Sequence, residues 1–185
     1  DGLQEAIERA AGACRVVAFD LFDTLLRRRV EPEWVKSAVA IELSRRLGDL
    51  LGPAAPGVAA VRRRRSELEL EIARERVARG DDDEVDYDDL LGRWVATWVA
   101  PGDARSRLVK SIEERELVVE QEVLFPAPGA KDLLAWVRRR LGRRVIFVSD
   151  MYLGERRVRR LLAACGLEDQ FDAGYVSIDH GARKA

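Results

Sequence analysis

The sequence predicts an α/β protein: a three-layer, Rossmann-like parallel sheet that is interrupted, directly after its first strand, by an all-helical insert. Three short apolar runs have the composition of strands: Arg15–Phe19, Arg144–Asp150 and Ala173–Ser177. Helical patterns lie on both sides of the second run, and this alternation is typical of βαβ units. Between residues 30 and 125, by contrast, helical patterns replace strand-like runs almost completely.

The first run, Arg15–Phe19, is apolar and β-branched, and we expect a strand that is buried on both faces. The helices around the second run are indicated by apolar residues at helical spacing, each set followed by a glycine that predicts the end of the helix. These apolar residues are Leu133, Leu134 and Val137 before the run, and Val158, Leu161 and Leu162 after it.

The insert contains at least four helical patterns, and the clearest one begins at Tyr87. Its apolar residues are expected to share one helical face and to pack in the core of the insert: Tyr87, Leu90, Leu91, Trp94 and Trp98. The segment Glu67–Ile72 alternates as a strand would, but its neighbours are strong helix formers and favour a helix. The predicted domains are a core of residues 1–29 and 126–185 and a helical domain of residues 30–125.

The charge balance argues against nucleic acid and membrane surfaces as partners. Lys and Arg number 32 and Asp and Glu number 33, so no net field would attract a polyanion. No apolar run approaches the roughly 20 residues that span a bilayer, and the first residues lack the apolar centre of a signal peptide. The two cysteines are far apart and are expected to be free thiols in a reducing compartment. We therefore expect a cytoplasmic protein with a small-molecule substrate.

Polar side chains follow each predicted strand, at the edge of a parallel sheet where ligands bind. Asp20, Asp23 and Thr24 follow the first strand, Ser149 and Asp150 end the second, and Lys184 lies shortly after the third. In such a set a carboxylate can attack as a nucleophile, while the hydroxyl and the ammonium hold and neutralise an anionic group. The sequence therefore predicts a catalytic site at this edge.

The stretches "VVAFDLFDTLL" and "VIFVSDMYL" and the late "RK" resemble the first three motifs of the haloacid dehalogenase-like (HAD) superfamily of hydrolases. The helical insert resembles the first-type cap domain of that superfamily. The resemblance implies that Asp20 is the nucleophile of a covalent aspartyl intermediate, that Ser149 hydrogen-bonds the transferred group and that Lys184 steadies the negative charge. It also implies, for members that transfer phosphoryl groups, a Mg²⁺ held by the Asp20 carboxylate and the backbone carbonyl of Phe22.

One departure from the family pattern concerns the residue two positions after the nucleophile. Phosphatases of the family have a second Asp there, as the general acid; this chain has Phe22, and Asp23 stands one residue later. Because side chains alternate along an extended chain, Asp23 cannot simply replace that acid. Asp23 is equally well explained as a residue that hydrogen-bonds the turn. The bulky Phe22 is similar to the dehalogenase branch, which more typically has Tyr followed by Gly.

A second departure concerns the fourth motif, the acidic residues on a further strand that complete the Mg²⁺ site of family phosphatases. The sequence stops at Ala185, directly after the predicted third motif. We therefore expect that the C-terminal part of the core is missing, that the Mg²⁺ site is incomplete and that further domains of a longer chain exist.

Three functions follow from these patterns. Hydrolysis of a phosphate monoester is the first choice, because it is the commonest chemistry in the superfamily. Hydrolysis of a C–halogen bond is the alternative that Phe22 suggests. A catalytically impaired binding or assembly module is the third, because the general acid and the fourth motif are absent from the sequence. A nucleotide-binding oxidoreductase is disfavoured, since no Gly-x-Gly-x-x-Gly follows the first strand.

Overall fold

The computed structural model describes residues 2–12 and 14–180. The chain divides into two compact units. One comprises the residues up to Arg28 together with Leu124–His180, and the other is the intervening segment Arg29–Val123.

The elements alternate between the two units along the chain. The first unit begins with helix α1 (Gly2–Ala11) and strands β1 (Val16–Phe19) and β2 (Leu26–Arg28). The second unit contains helices α2 (Pro32–Leu51), α3 (Val58–Ala78), α4 (Tyr87–Ala96) and α5 (Asp103–Val123), with a 3₁₀ turn at Gly52–Ala54. The first unit then continues with β3 (Leu124–Pro126), α6 (Ala130–Arg140), β4 (Arg144–Ser149), α7 (Gly154–Ala164), a 3₁₀ turn at Glu168–Gln170, β5 (Ala173–Val176) and α8 (Ser177–His180).

The main sheet of the first unit is parallel and has the strand order β1-β4-β5. Phe19 is aligned with Phe147 on β4, and Ser149 is aligned with Val176 on β5. Helices α6 and α7 lie between successive strands and pack against β4 and β5. The predicted α/β fold with a parallel sheet is thus confirmed.

The expectation that the first strand is buried on both faces is wrong. Along β1 the residues alternate between exposed and half-buried, and Val16 is 39% exposed. The physical reason is its position: β1 is an edge strand of the described sheet and pairs only with β4. A cleft of about 700 Å³ runs beside it and is lined by β1, by α1 and by the start of α6.

A second, two-stranded antiparallel sheet was not predicted. Strands β2 and β3 pair with Leu26 opposite Pro126 and Arg28 opposite Leu124. Each strand has only three residues, and β2 consists of one leucine and two arginines. Such a segment is too short and too charged to show the alternation by which strands are recognised in a sequence.

Strands β4 and β5 are packed around an aromatic ring. Phe147 is fully buried and lies opposite Gly174, and its ring meets Phe171 edge to face with the ring centroids 5.3 Å apart. A β-carbon at Gly174 would lie 2.0 Å from Cζ of Phe147, so only glycine leaves room for the ring. This contact holds β5 against the strand that ends in Ser149.

The core of the helical unit contains a buried ion pair. Arg65 on α3 donates two hydrogen bonds, of 2.9 and 2.7 Å, to the Glu116 carboxylate on α5. Tyr87 on α4 donates a third, of 3.0 Å, to the same carboxylate. The Arg65 guanidinium carbon also lies 5.3 Å from the ring centroid of Trp94, whose indole N–H donates to the Val61 carbonyl. One polar cluster therefore connects three of the four helices.

The apolar face predicted for α4 is buried except at its end. Four of its five residues are buried: Tyr87, Leu90, Leu91 and Trp94. Helix α4 ends at Ala96, so Trp98 follows the helix and is only half-buried. The segment Glu67–Ile72 lies inside α3 and is helical, as expected.

Among the helices of the described residues, none combines the length and the apolar character that a membrane span requires.

Candidate active site

The predicted site residues lie at the carboxyl ends of adjacent strands. Asp20 follows β1 directly, and Ser149 is the last residue of β4. Because Phe19 and Phe147 are aligned, these two strands end at the same edge of the sheet. Strand β5, on the other side of β4, ends at Val176. The fold thus brings the ends of the first two predicted motifs together.

A hydrogen bond positions the Asp20 carboxylate. The Thr24 hydroxyl donates to Oδ2 of Asp20 at 2.6 Å, a short distance that is typical of a hydroxyl bound to a carboxylate. Asp20 is half-buried. The bond holds the carboxylate at the strand end before any substrate binds, which is the preorganisation that an attacking group requires.

The turn between β1 and β2 is anchored on the fully buried Leu21. The carbonyl of Leu21 accepts hydrogen bonds from the amides of Leu25 and Leu26, both at 2.8 Å. The amide of Asp23 donates to the Leu26 carbonyl, also at 2.8 Å. The chain therefore folds back on itself within six residues, and this fold brings Thr24 to Asp20.

Asp23 has a backbone φ of +61°, in the left-handed region. Glycine adopts this conformation without strain, and Asp and Asn tolerate it better than other residues. This requirement explains why the chain can have Asp where the dehalogenase branch typically has Gly. The Asp23 side chain is exposed, so its evident part in this turn is conformational.

Ser149 is buried, with only 2% of its surface exposed. Its hydroxyl lies at the end of β4, at the sheet edge where ligands bind in parallel α/β sheets. Asp150, the next residue, is exposed. Lys184 lies outside the described residues.

The oxygen atoms assigned to Mg²⁺ by the resemblance suit a hard cation but are few. In the bridge between Phe22 and Leu26, the hydrogen bonds involve Leu21, Asp23 and Leu26, and none of them uses the Phe22 carbonyl. That carbonyl and the Asp20 carboxylate are the kind of ligand that Mg²⁺ takes together with several waters. In residues 2–12 and 14–180, no cluster of three or more His, Cys, Asp or Glu side chains could hold a metal.

Two residues near the strand ends were missed by sequence reasoning. Arg28 lies with its guanidinium carbon 5.0 Å from the ring centroid of Phe22. Asp179 accepts a 2.6 Å hydrogen bond from the Glu155 amide at the start of α7. Strand β2 has three residues, too few for a pattern that would indicate Arg28. The bond of Asp179 joins residues 24 positions apart and has no local signal.

The carboxylate of Asp179 also restricts the chain at Gly154. Gly154 has a φ of +71°, and a β-carbon there would lie 2.9 Å from Oδ1 of Asp179. A carboxylate from α8 thus accepts a hydrogen bond from the backbone at the N-terminus of α7.

Comparisons with known proteins identify the family and the fold. A family model described as "Hydrolase: haloacid dehalogenase-like hydrolase" matches residues 14–185. Among curated protein sequences, no match was found.

The solved structures that resemble the chain have low sequence identity to it. A protein of Thermotoga maritima assigned as a β-phosphoglucomutase is 15% identical, with a TM-score of 0.51, over 92% of this chain and 64% of its own. The hydrolase YfnB of Bacillus subtilis is 17% identical, with a TM-score of 0.50, over 92% of this chain and 68% of its own. An L-2-haloacid dehalogenase of Xanthobacter autotrophicus is 20% identical, with a TM-score of 0.45, over 92% of this chain and 59% of its own.

Proposed function

Because the chain belongs to the haloacid dehalogenase-like hydrolase family, we propose that it hydrolyses a phosphate monoester of a small molecule through nucleophilic attack by Asp20. The observation that carries the proposal is the placement of the Asp20 carboxylate at the end of β1, fixed by the Thr24 hydroxyl at 2.6 Å and adjacent to the strand that ends in Ser149. The near-equal numbers of acidic and basic residues support a small substrate over a polyanion.

In the first step, an oxygen of the Asp20 carboxylate attacks the phosphorus, and the bond from phosphorus to the leaving oxygen breaks. The buried Ser149 hydroxyl donates a hydrogen bond to an oxygen of the transferred group. In the proposal, Lys184 neutralises charge on Asp20 and on the substrate. Water then hydrolyses the aspartyl phosphate, which regenerates the carboxylate and releases inorganic phosphate.

The residues that would hold Mg²⁺ are Asp20, through its carboxylate, and Phe22, through its backbone carbonyl. When bound, the metal ion would reduce the repulsion between a carboxylate and an anionic phosphate, which is the main obstacle to the attack. Water molecules would complete the coordination shell, because Mg²⁺ usually keeps several waters beside its protein ligands.

We further propose that the helical unit, Arg29–Val123, serves as a cap that excludes water and selects the substrate. A cytoplasmic location is part of the proposal as well. Cys14 and Cys165 are both free thiols, one exposed and one half-buried, as in a protein of a reducing compartment.

Hydrolysis of a C–halogen bond is the second candidate, and Phe22 is the observation that favours it. In that reaction the Asp20 carboxylate attacks carbon and the halide departs with its electron pair. No proton donor is needed, and Phe22 has no proton to transfer. A binding or assembly module without catalysis is the third candidate. Phe22 favours it as well, because it stands where phosphatases of the family have the general acid.

The three candidates are separated by one set of assays. Release of p-nitrophenol from its phosphate ester and release of chloride from 2-chloropropionate are measured with and without Mg²⁺. We compare the wild-type protein, the Asp20→Asn variant and an Asp169→Asn control, which removes an exposed carboxylate of the same unit.

Phosphate-ester hydrolysis that needs both Mg²⁺ and Asp20 is the expected result. Chloride release that needs Asp20 but not Mg²⁺ would favour the dehalogenase function over the phosphatase function. Equal background rates in all three proteins would argue against both hydrolases and favour the binding module.

A further inference from the structure

We propose that Arg28 binds the anionic group of the substrate beside Asp20, and that Phe22 holds the guanidinium in place for this purpose. The inference rests on the proposed function, because it assigns a partner to the group that Asp20 attacks. It adds a residue that no motif of the sequence indicated.

The position of Arg28 is fixed relative to Asp20 by the turn that joins β1 to β2. The turn is held by hydrogen bonds to the buried Leu21, and β2 is held by its pairing with β3, in which Arg28 lies opposite Leu124. Arg28 is therefore part of a short, paired strand. Its side chain emerges from a backbone that cannot move far without breaking this ladder.

Phe22 links the Arg28 guanidinium to the position of the nucleophile. Its carbon is 5.0 Å from the ring centroid of Phe22, and Phe22 is two residues after Asp20. Two residues of extended chain span at most about 7 Å. A substrate held on Asp20 is thus within reach of an arginine side chain that rests on Phe22.

The contact with Phe22 has a physical role. A cation is attracted to the face of an aromatic ring, and this attraction orders a long side chain that would otherwise lose entropy on binding a ligand. The guanidinium keeps several N–H donors in one plane, and these match the oxygens of a phosphate better than an ammonium does. Arg28 is half-buried, which reduces the screening of its charge by water.

In the proposal, Arg28 also stabilises the leaving group. When the bond from phosphorus to the leaving oxygen breaks, the electron pair stays on that oxygen. Arg28 neutralises this charge but does not protonate it, because a guanidinium keeps its protons at neutral pH. Substrates whose leaving group is a stable anion, such as aryl and acyl phosphates, are therefore preferred over alkyl phosphates.

The chain supplies a matched control for Arg28. Arg27 precedes it on β2, is exposed, and points to the opposite face of the strand because side chains alternate. The Arg28→Gln, Arg28→Lys and Arg27→Gln variants are compared with the wild-type protein. Thermal unfolding followed by circular dichroism establishes that each variant folds.

Binding of inorganic phosphate, measured by calorimetric titration, is the first readout. We expect Arg28→Gln to weaken it at least about tenfold and Arg28→Lys to weaken it less, because the lysine keeps the charge but loses the planar set of donors. Arg27→Gln is expected to change it less than about twofold. Equal affinities of the Arg28→Gln and Arg27→Gln variants would overturn the inference.

The second readout is kcat/KM for aryl phosphates that differ in the acidity of the leaving phenol. With Arg28→Gln we expect a larger loss for the poorer leaving groups, since the variant lacks the charge that stabilises the departing oxygen. A loss equal for all leaving groups, or none, would contradict this role.

The two readouts also separate this inference from the proposed function. If the wild-type protein binds phosphate but hydrolyses no ester, the proposed function fails and the titration alone decides on Arg28. If the wild-type protein binds no inorganic phosphate, the inference is overturned.

The role of Phe22 has its own variant. Phe22→Leu keeps an apolar side chain but removes the ring face, so we expect phosphate binding weaker than in the wild-type protein and stronger than in Arg28→Gln. Wild-type affinity in Phe22→Leu would show that Arg28 is held by other contacts.

Discussion

At the scale of single residues, close packing against the Phe147 ring leaves no room for a side chain at Gly174. We predict that Gly174→Ala destabilises the protein by about 3 kcal/mol. The new β-carbon would lie 2.0 Å from the Phe147 ring, which is buried and cannot move aside. The free energy of unfolding, from urea denaturation, measures the effect.

Gly48→Ala in α2 is the control for Gly174→Ala. A β-carbon at Gly48 would meet nothing within 4 Å, so alanine is expected to stabilise the helix by about 0.5–1 kcal/mol. Similar stabilities of the Gly174→Ala variant and the wild-type protein would show that Phe147 has room to shift.

Asp23 provides a second prediction at this scale, because its φ of +61° lies where most side chains are strained. We expect Asp23→Ala to cost about 1 kcal/mol of stability and Asp23→Gly to be neutral or slightly stabilising. Thermal unfolding of both variants tests this. If Asp23→Gly is the less stable of the two, the exposed carboxylate contributes more than the backbone conformation does.

At the scale of elements, the buried pair of Arg65 and Glu116 joins α3 to α5, and Tyr87 of α4 donates a hydrogen bond to the same carboxylate. Removal of one partner leaves the other charge buried, so Arg65→Met is expected to destabilise the protein by about 3–5 kcal/mol. Arg64→Met is the control, since the pair of Arg64 with Glu71 is partly exposed, with side chains 28% and 46% accessible, and is expected to contribute less than about 1 kcal/mol. Urea denaturation of the two variants tests the difference, and equal losses would contradict it.

Glu42 on helix α2 is expected to make the stability of the protein depend on pH. Hydrogen bonds from Arg45 and then from Arg46 lower the pKa of Glu42 from 4.5 to about 2. Because the pKa is lower in the folded protein, the carboxylate stabilises the fold above pH 4.5 and this contribution is lost as the pH falls toward 2. We expect Glu42→Gln to flatten the loss of stability between these pH values. An unchanged slope in acid denaturation would contradict the assignment.

At the scale of the whole molecule, apolar runs and the helical spacing of apolar residues were sufficient to predict the main strands and helices. The three parallel strands, their connecting helices and the helices of the insert were predicted because their patterns extend over enough residues to be recognised. Strands β2 and β3 were not, since three residues carry no periodicity. The exposure of β1 was mistaken, because burial depends on which neighbours a strand has in the sheet.

The candidate site was predictable to the same extent. Asp20, Thr24 and Ser149 could be located because each lies at or just after a recognisable strand. The contact of Arg28 with Phe22 and the bond of Asp179 to α7 depend on how separate segments meet, which no local pattern records. The left-handed conformation of Asp23 was likewise invisible in the sequence, although it explains the residue found there.

The central claim is that Asp20 forms a covalent intermediate, and trapping that intermediate tests it most directly. The protein is quenched with acid during turnover of an aryl phosphate and digested, and its peptides are weighed by mass spectrometry. We predict one phosphoryl group on the peptide that contains Asp20, and none in the Asp20→Asn variant. Turnover that persists in Asp20→Asn, or a phosphoryl group on another residue, would contradict the account.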